Sequence, residues 1–362
     1  MLLCYSKGML KKMKLEIDRG LDELLRETKP AVDKGGRSST LFRGISDFVK
    51  RDGKRIRPIL FMLGYLGYTK KRKIDRKRLV KAALSLELLH DFLLIHDDII
   101  DRSALRRGKP ALHILYNRML GRKPADKLGS DLAIVAGDII FAHAVKCFMA
   151  VDENASRKEK SLELFTVTAS NTGLGEYVDV VNNIAPVSDI SEKEIMFTYL
   201  YKTAKYTFAS PLLMGAMLAG TGKRELSIIS ELGTALGQAF QIQDDMLDIF
   251  SSMRKTGKPV LSDLIEGKKT LLAWKAFRSL KGKDKKALAS FLASPRKTLS
   301  GARHARSLIK RSGAPEYCFS RMNAGFEQAV SLCTQLSMGR KELSVLGDFI
   351  QSLVGRNNLI CP

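Results

Sequence analysis

No stretch of about 18 uninterrupted apolar residues occurs in the 362-residue chain, which argues against a membrane-spanning helix. Strand alternation and hairpin signals are missing too, and their absence leaves an all-α fold of about a dozen helices. Aromatic residues are sparse and tryptophan occurs once, at Trp274, so no platform for stacking bases stands out. The five cysteines, Cys4, Cys147, Cys318, Cys333 and Cys361, include no C-x-x-C pair and read as reduced intracellular thiols. Cys361 is followed only by Pro362, so it forms no prenylation box. The first residues put apolar side chains before Lys7, Lys11, Lys12 and Lys14, the reverse of a secretory signal. The expected location is cytoplasmic. No linker is long enough to divide the chain. Residues 1–362 therefore read as one domain, with an N-terminal helix and connecting loop over 1–40 and a basic lid loop over 251–270.

Acidic residues are also in short supply. Sixty-one Lys and Arg against 38 Asp and Glu leave a net charge of +23. Nucleic acid, an anionic membrane surface or phosphorylated substrates could each answer such a surplus. The basic residues look dispersed and no nucleic-acid recognition motif is present. Most of the excess therefore reads as a generally basic surface, with no specific nucleic-acid partner and at most transient contact with a membrane surface. An apolar content of 45% suffices for a substantial core.

Two acidic runs lie within apolar sequence: Asp97-Asp98-Ile99-Ile100-Asp101 and Asp244-Asp245-Met246-Leu247-Asp248. On a helix, residues four apart share a face, so Asp97 aligns with Asp101 and Asp244 with Asp248. Carboxylates amid residues destined for burial need partners, and three within a turn repel unless a cation lies between them. All-oxygen ligands suit a hard ion, and Mg2+ is commonly held by a few carboxylates plus substrate phosphates. Two such clusters facing across a bundle would clamp several Mg2+ ions and a diphosphate. A solvated acidic turn accounts for one isolated run, but not for two in apolar settings.

Helical spacing covers residues 9–27, a break follows at 29–40, and a second helix covers 41–50. Gly53 then precedes Lys54, Arg55 and Arg57, with Pro58 suited to a first helical turn. Such a site offers backbone N–H groups and basic side chains to an anion together. Residues 76–101 form one helix ending in the first acidic run, with His90 two turns before Asp97. Arg106 and Arg107 come just after it, and guanidinium forks suit phosphate oxygens. Apolar helices follow at 127–150, 160–183 and 192–220, the last carrying Lys202-Thr203, and a helix at 224–250 ends in the second acidic run. Gly257 and Gly267, set among Lys255, Lys258, Lys268 and Lys269, mark the lid.

These pieces, in this order, resemble the trans-isoprenyl diphosphate synthases, the polyprenyl synthetase family. The resemblance runs over about 41–280 and more faintly to Asn358. Six motifs carry it: G-K-R-I-R-P at 53–58, H-D-D-I-I-D at 96–101, R-R-G-K-P at 106–110, K-T at 202–203, F-Q-I-Q-D-D-M-L-D at 240–248 and D-L-I-E-G-K-K-T at 263–270. The resemblance implies an isoprenoid-synthase-like helical bundle around a deep central cavity, usually a homodimer. The implied reaction is Mg2+-dependent head-to-tail condensation of isopentenyl diphosphate with an allylic diphosphate, releasing pyrophosphate. Asp97, Asp98 and Asp101 match the first metal site and Asp244, Asp245 and Asp248 the second, with Asp244 foremost. About three Mg2+ ions are implied, with Mn2+ as an alternative. Lys54, Arg57, His90 and Arg107 match the isopentenyl diphosphate site. Arg106, Lys202, Lys258 and Lys268 match the allylic diphosphate site, and Thr203 and Gln241 line the reacting end. Catalysis falls to the aspartates with Lys202 and Arg106, which neutralise charge on the leaving diphosphate.

Phe92 and Leu93, five and four residues before Asp97, match the positions that set product length. At 100° per residue Leu93 lies about 40° from the Asp97 direction and Phe92 about 140°. Helical geometry favours Leu93 as the floor. The resemblance marks both positions, and its aromatic at the fifth implies Phe92 and a short product, geranylgeranyl ahead of farnesyl diphosphate. The chain departs from the pattern at Asp52 and Leu261, where glycine is frequent, at Glu176, where glutamine is frequent, and at Leu272, where proline is frequent.

Rival readings fit less well. A terpene cyclase would need an N/D-D-x-x-S-x-x-x-E motif, and at Lys223–Glu231 only Ser227 and Glu231 match it. A phosphohydrolase built on His90, His96 and Asp97 would favour a transition metal, but His113, His143 and His304 show no matching spacing. A catalytically silent subunit would have lost Asp-rich ligands, and all six are here.

Overall fold

The computed structural model describes residues 2–251 and 261–360, with side chains from Gly8 onward. The chain packs as two compact units. The first takes residues 1–162 and 214–220, the second residues 163–213 and 221–362.

In the first unit the helices are α1 (Leu2–Val32), α2 (Arg37–Val49), α3 (Ile56–Tyr68), α4 (Arg76–Ile100), α5 (Leu112–Met119) and α6 (Lys127–Phe148). The break expected at 29–40 shrinks to 33–36, since α1 continues through Pro30 to Val32 and α2 already starts at Arg37. Every residue from Ala82 to Leu89 is buried, so the middle of α4 has no solvent face, and a helix buried all round belongs to a core. α4 packs on α6, α3 and α1, and Asp75 caps its start by accepting the Arg78 N–H at 3.0 Å. α6 is apolar enough over its length to meet the composition of a membrane span. It packs on α4 and α5 through Gly129, Ala133, Ala136, Gly137, Ile140 and Ala144.

The fold is all-α as expected, apart from one short hairpin that the sequence did not signal. β1 (Leu105–Arg106) and β2 (Lys109–Pro110) pair antiparallel, Leu105 opposite Pro110 and Arg106 opposite Lys109. The two residues between them, Arg107 (φ 53°) and Gly108 (φ 73°), both take the left-handed conformation that a two-residue turn of this hand requires. Strands two residues long leave no alternation to read.

α7 (Ala155–Ile184) and α9 (Ser210–Ala219) contribute to both units. The second unit continues with α8 (Glu192–Thr198) and a π-helical segment (Tyr199–Ala209), then α10 (Lys223–Phe250), α11 (Ser262–Glu266), α12 (Leu271–Ser279), α13 (Gly282–Ala293), α14 (Leu299–Lys310), α15 (Ala314–Thr334), α16 (Arg340–Val354) and a 3-10 turn (Gly355–Leu359). The single helix expected at 192–220 is thus interrupted by a π stretch, a form associated with functional sites. α10 is the axis of this unit, packed on the π segment and α15. Gly233 and Gly237 make the first contact possible: a Cβ on either would stand 2.3 Å from the Cα of Ala209 or Ala204.

Candidate active site

In the first unit the hairpin delivers two neighbouring arginines to two different places. Arg106 donates from Nε to Asp98 Oδ1 at 2.8 Å and from its terminal nitrogen to Asp97 Oδ2 at 3.0 Å. Arg107 turns the other way, donating to the Arg51 carbonyl at 3.2 Å with Glu87 and Asp91 at 3.5 and 3.8 Å. Behind it Arg55 is buried between Glu87 (2.6 Å), Asp18 (2.9 Å) and the Arg51 carbonyl (2.8 Å). Lys54 stays exposed beside it and Arg57 is half-buried. His90 is half-buried, and burial together with Arg57 and Arg107 holds its imidazole well below the usual range. A neutral ring can donate one hydrogen bond without adding charge.

The first acidic run ends α4 as expected, with Asp101 as its C-cap. Asp97 and Asp101 are half-buried, whereas Asp98 is fully buried. Burial pushes the Asp98 carboxyl up to about 6 against the pull of Arg106, and its Oδ2 has no hydrogen-bond partner. Phe92 leans toward α6, its ring 4.6 Å from that of His96 and 5.1 Å from Phe141. Gly137 leaves the room, since a Cβ there would lie 2.8 Å from His96 Nε2. Leu93 is half-buried.

In the second unit the same burial pattern recurs: Asp244 and Asp248 are half-buried and Asp245 is buried. Tyr199 and Gln241 both donate to Asp245, Gln241 at 2.8 Å. Thr203 donates to Gln241 Oε1 at 2.7 Å, and the Leu271 N–H donates to the Tyr199 hydroxyl at 2.9 Å. One chain of hydrogen bonds thus ties the π segment, α10 and the start of α12. Asp248 accepts from Ser262 and from the Asp263 N–H at 3.1 Å, holding α11 in place. Burial raises the carboxyls of Asp245 and Asp248, and lifts Asp263 to about 7. Lys202 sits between Glu176 (2.6 Å) and Asp179 (2.9 Å), and Lys268 lies 2.8 Å from Glu266. Lys258 lies outside the described residues.

Sequence reasoning missed Arg356, which reaches Asp244 at 3.2 Å and stacks over the Phe240 ring. It also missed Glu87, Asp91, Asp179 and Tyr199, whose only signal is an ionisable side chain in apolar helical sequence. The donor set around both runs is oxygen, which suits Mg2+, and the unpartnered Asp98 Oδ2 and the guanidiniums on Asp97, Asp98 and Asp244 mark places that favour positive charge. The residues fit that ion. Among the described residues, no three carboxylate, imidazole or thiol groups gather closely enough to hold a metal unaided.

Residues 39–309 match the sequence model of the family described as polyprenyl synthetase. The chain belongs to that family. This polyprenyl synthetase is 32% identical to the short chain isoprenyl diphosphate synthase of Methanothermobacter thermautotrophicus, over 91% of this chain and 94% of that one. The geranylgeranyl diphosphate synthase of Sulfolobus acidocaldarius and the geranylfarnesyl diphosphate synthase of Aeropyrum pernix are each 31% identical. They cover 82% and 83% of this chain, and 86% and 91% of their own. Its fold matches the crystal structure of a geranylgeranyl pyrophosphate synthase from Corynebacterium glutamicum complexed with isoprenyl diphosphate and magnesium. The TM-score is 0.86 at 24% identity, over 96% of this chain and 98% of the other. The protein is a prenyltransferase of the isoprenyl diphosphate synthase class.

Proposed function

We propose that the protein condenses isopentenyl diphosphate head-to-tail with an allylic diphosphate in a Mg2+-dependent reaction, giving a short-chain product, geranylgeranyl diphosphate ahead of farnesyl diphosphate. The observation that carries the reading is the divergence of Arg106 and Arg107. One guanidinium serves the aspartate run and the next serves the Arg51–Arg57 segment, as two separate diphosphate sites demand. Lys54, Arg57, His90 and Arg107 hold isopentenyl diphosphate. Arg106, Lys202, Lys258 and Lys268 hold the allylic diphosphate, with Thr203 and Gln241 at the reacting end.

Asp97, Asp98, Asp101, Asp244, Asp245 and Asp248 would hold Mg2+, which when bound supplies charge neutralisation on the leaving diphosphate. Arg106 and Lys202 add fixed positive charge where negative charge develops as the allylic C–O bond breaks. The isopentenyl double bond, positioned by Arg107, attacks the allylic cation, and the proton then lost passes to the released pyrophosphate. Apolar helix faces keep water from quenching the cation. Phe92 limits the length of the product.

We also infer a cytoplasmic homodimer. On α7, Val167, Leu174 and Val181 are exposed at seven-residue intervals, beside Tyr177 and Ile184. A heptad-spaced apolar stripe in water suits a matching helix of a second copy. Light scattering at micromolar concentration should give twice the chain mass.

The deciding experiment incubates purified protein with isopentenyl diphosphate, Mg2+ and dimethylallyl, geranyl or farnesyl diphosphate in turn, and chromatographs the dephosphorylated products. A twenty-carbon alcohol that vanishes with chelator is expected. No elongation of any allylic substrate would reject the reading.

A further inference from the structure

Between Lys275 and Arg311 the chain carries twelve Lys and Arg against one acid, Asp284, a surplus of eleven within a net +23. The positive charge is therefore concentrated rather than dispersed. These residues belong to α12, α13 and α14 and the turns between them, and the three helices pack on one another within the second unit. On α14, Ala302, Ala305, Leu308 and Ile309 are buried, while Arg303, Arg306 and Lys310 are exposed. Their spacing of three and then four residues sets these cations on one face. On α13, Leu288 and Leu292 are buried, and Lys283 and Lys286 are exposed three residues apart. Arg278, Lys281, Arg296 and Arg311 are exposed as well. Among the described residues, only Arg311 of the twelve meets a carboxylate, Asp284 at 2.9 Å.

A second dense basic segment shows what pairing looks like. Residues 70–81 hold eight Lys and Arg against Asp75. There Lys71 pairs with Glu153, Arg76 with Glu16, Lys77 with Glu23, Arg78 with Asp75 and Lys81 with Glu27. Among the described residues five of those eight cations are matched inside the fold, against one of the twelve in the other unit. An unmatched like-charged face is a cost to the folded chain alone, and it is relieved by a polyanionic surface.

We propose that the face formed by α12, α13 and α14 docks on an anionic lipid surface. Two observations favour lipid over nucleic acid. Leu299, in the first turn of α14, is 48% exposed, and Ile265 is 41% exposed on α11, which packs against α14. Apolar side chains beside cations suit the boundary between headgroups and acyl chains. The one tryptophan is half-buried with its indole N–H donating to the Ile190 carbonyl, so it offers no ring to a base. Phosphodiester headgroups would meet the exposed guanidinium and ammonium groups. None of these residues belongs to the proposed catalytic machinery, and the inference goes beyond the catalytic reading.

The test uses the full-length protein and sedimentation with vesicles of phosphatidylglycerol and phosphatidylcholine in equal parts, against vesicles of phosphatidylcholine alone. The protein should sediment with the anionic vesicles only, and salt raised from about 0.05 to about 0.5 M should release it. The variant Arg303→Gln, Arg306→Gln, Lys310→Gln should bind about a hundred-fold more weakly, since each cation near the surface contributes about a factor of five. Its melting temperature and its prenyl transfer in lipid-free buffer should match the parent, which separates this face from the active site. The control Lys70→Gln, Arg72→Gln, Lys73→Gln should change vesicle binding by less than about five-fold. Equal binding to both vesicle types, unchanged binding by the first variant, or tighter binding to a DNA duplex than to vesicles at the same salt would each overturn the proposal.

Discussion

Glu176→Gln should tighten binding of the allylic substrate. Lys202 lies 2.6 Å from Glu176 and 2.9 Å from Asp179, and each of the three side chains is about a quarter exposed or less. A diphosphate oxygen bound to the same ammonium at about 2.8 Å would stand at most about 5.4 Å from the Glu176 oxygen. Two unit charges at that distance repel by about 0.8 kcal/mol in water and about 3 kcal/mol at the effective dielectric of a protein surface. The corresponding range is about four-fold to over a hundred-fold in affinity, and partial exposure favours about ten-fold. The amide keeps the shape of the carboxylate, and Asp179 still anchors the ammonium, so the geometry should hold. Steady-state kinetics with one substrate varied at a time would show the allylic KM falling about ten-fold while the isopentenyl diphosphate KM stays put. An allylic KM that rises instead would mean that Glu176 positions Lys202 rather than competing with substrate. Equal movement of both KM values would place the effect outside the allylic subsite.

Four further outcomes follow from the geometry. Asp97→Ala and Asp244→Ala should each lower turnover by about a hundred-fold or more at saturating Mg2+ with an unchanged circular dichroism spectrum, and near-normal turnover of either would refute its metal role. Arg107→Ala should raise the KM for isopentenyl diphosphate and Lys202→Ala that for the allylic partner, read by separate titrations; equal effects would reject the division of subsites. Phe92→Ala should lengthen the product and Leu93→Phe should shorten it, by chromatography of the dephosphorylated alcohols, and an active Phe92→Ala with unchanged products would dismiss Phe92 as the floor. Asp98 holds its proton more tightly folded than unfolded, up to about 6 from 3.8, so the metal-free protein should lose about 3 kcal/mol as pH rises from 4 through 6; melting in chelator should show that slope flattened in Asp98→Asn.

What could be read from the sequence was set by range. The long helices were legible because apolar periodicity is a local property: α4 and α10 end at the acidic runs as the spacing requires. The π segment was not, since its apolar residues still suit a helix and the change in hydrogen-bond step leaves no mark on the pattern. Arg356 was out of reach for another reason. It meets Asp244 across 112 residues of chain, and nothing local announces a partner that distant. The basic face of α12 to α14 was hidden differently, because charge counts were visible but their pairing was not.

The two acidic runs show how far a local rule carries. Helical spacing aligns the outer aspartates, Asp97 with Asp101 and Asp244 with Asp248, and all four are half-buried. The same rule turns the middle residue about 100° away from the first. In both runs that turn takes it into the protein, and in both it finds a specific donor: Arg106 for Asp98, Tyr199 and Gln241 for Asp245. A carboxylate buried on that side needs such a partner, because desolvation otherwise drives it neutral. The middle aspartates thus tie each run to the residues that would grip diphosphate. Asp98 fixes the hairpin that carries Arg107, and Asp245 fixes the Gln241–Thr203 pair beside Lys202. A change at either middle position should therefore disturb a substrate subsite as well as a metal.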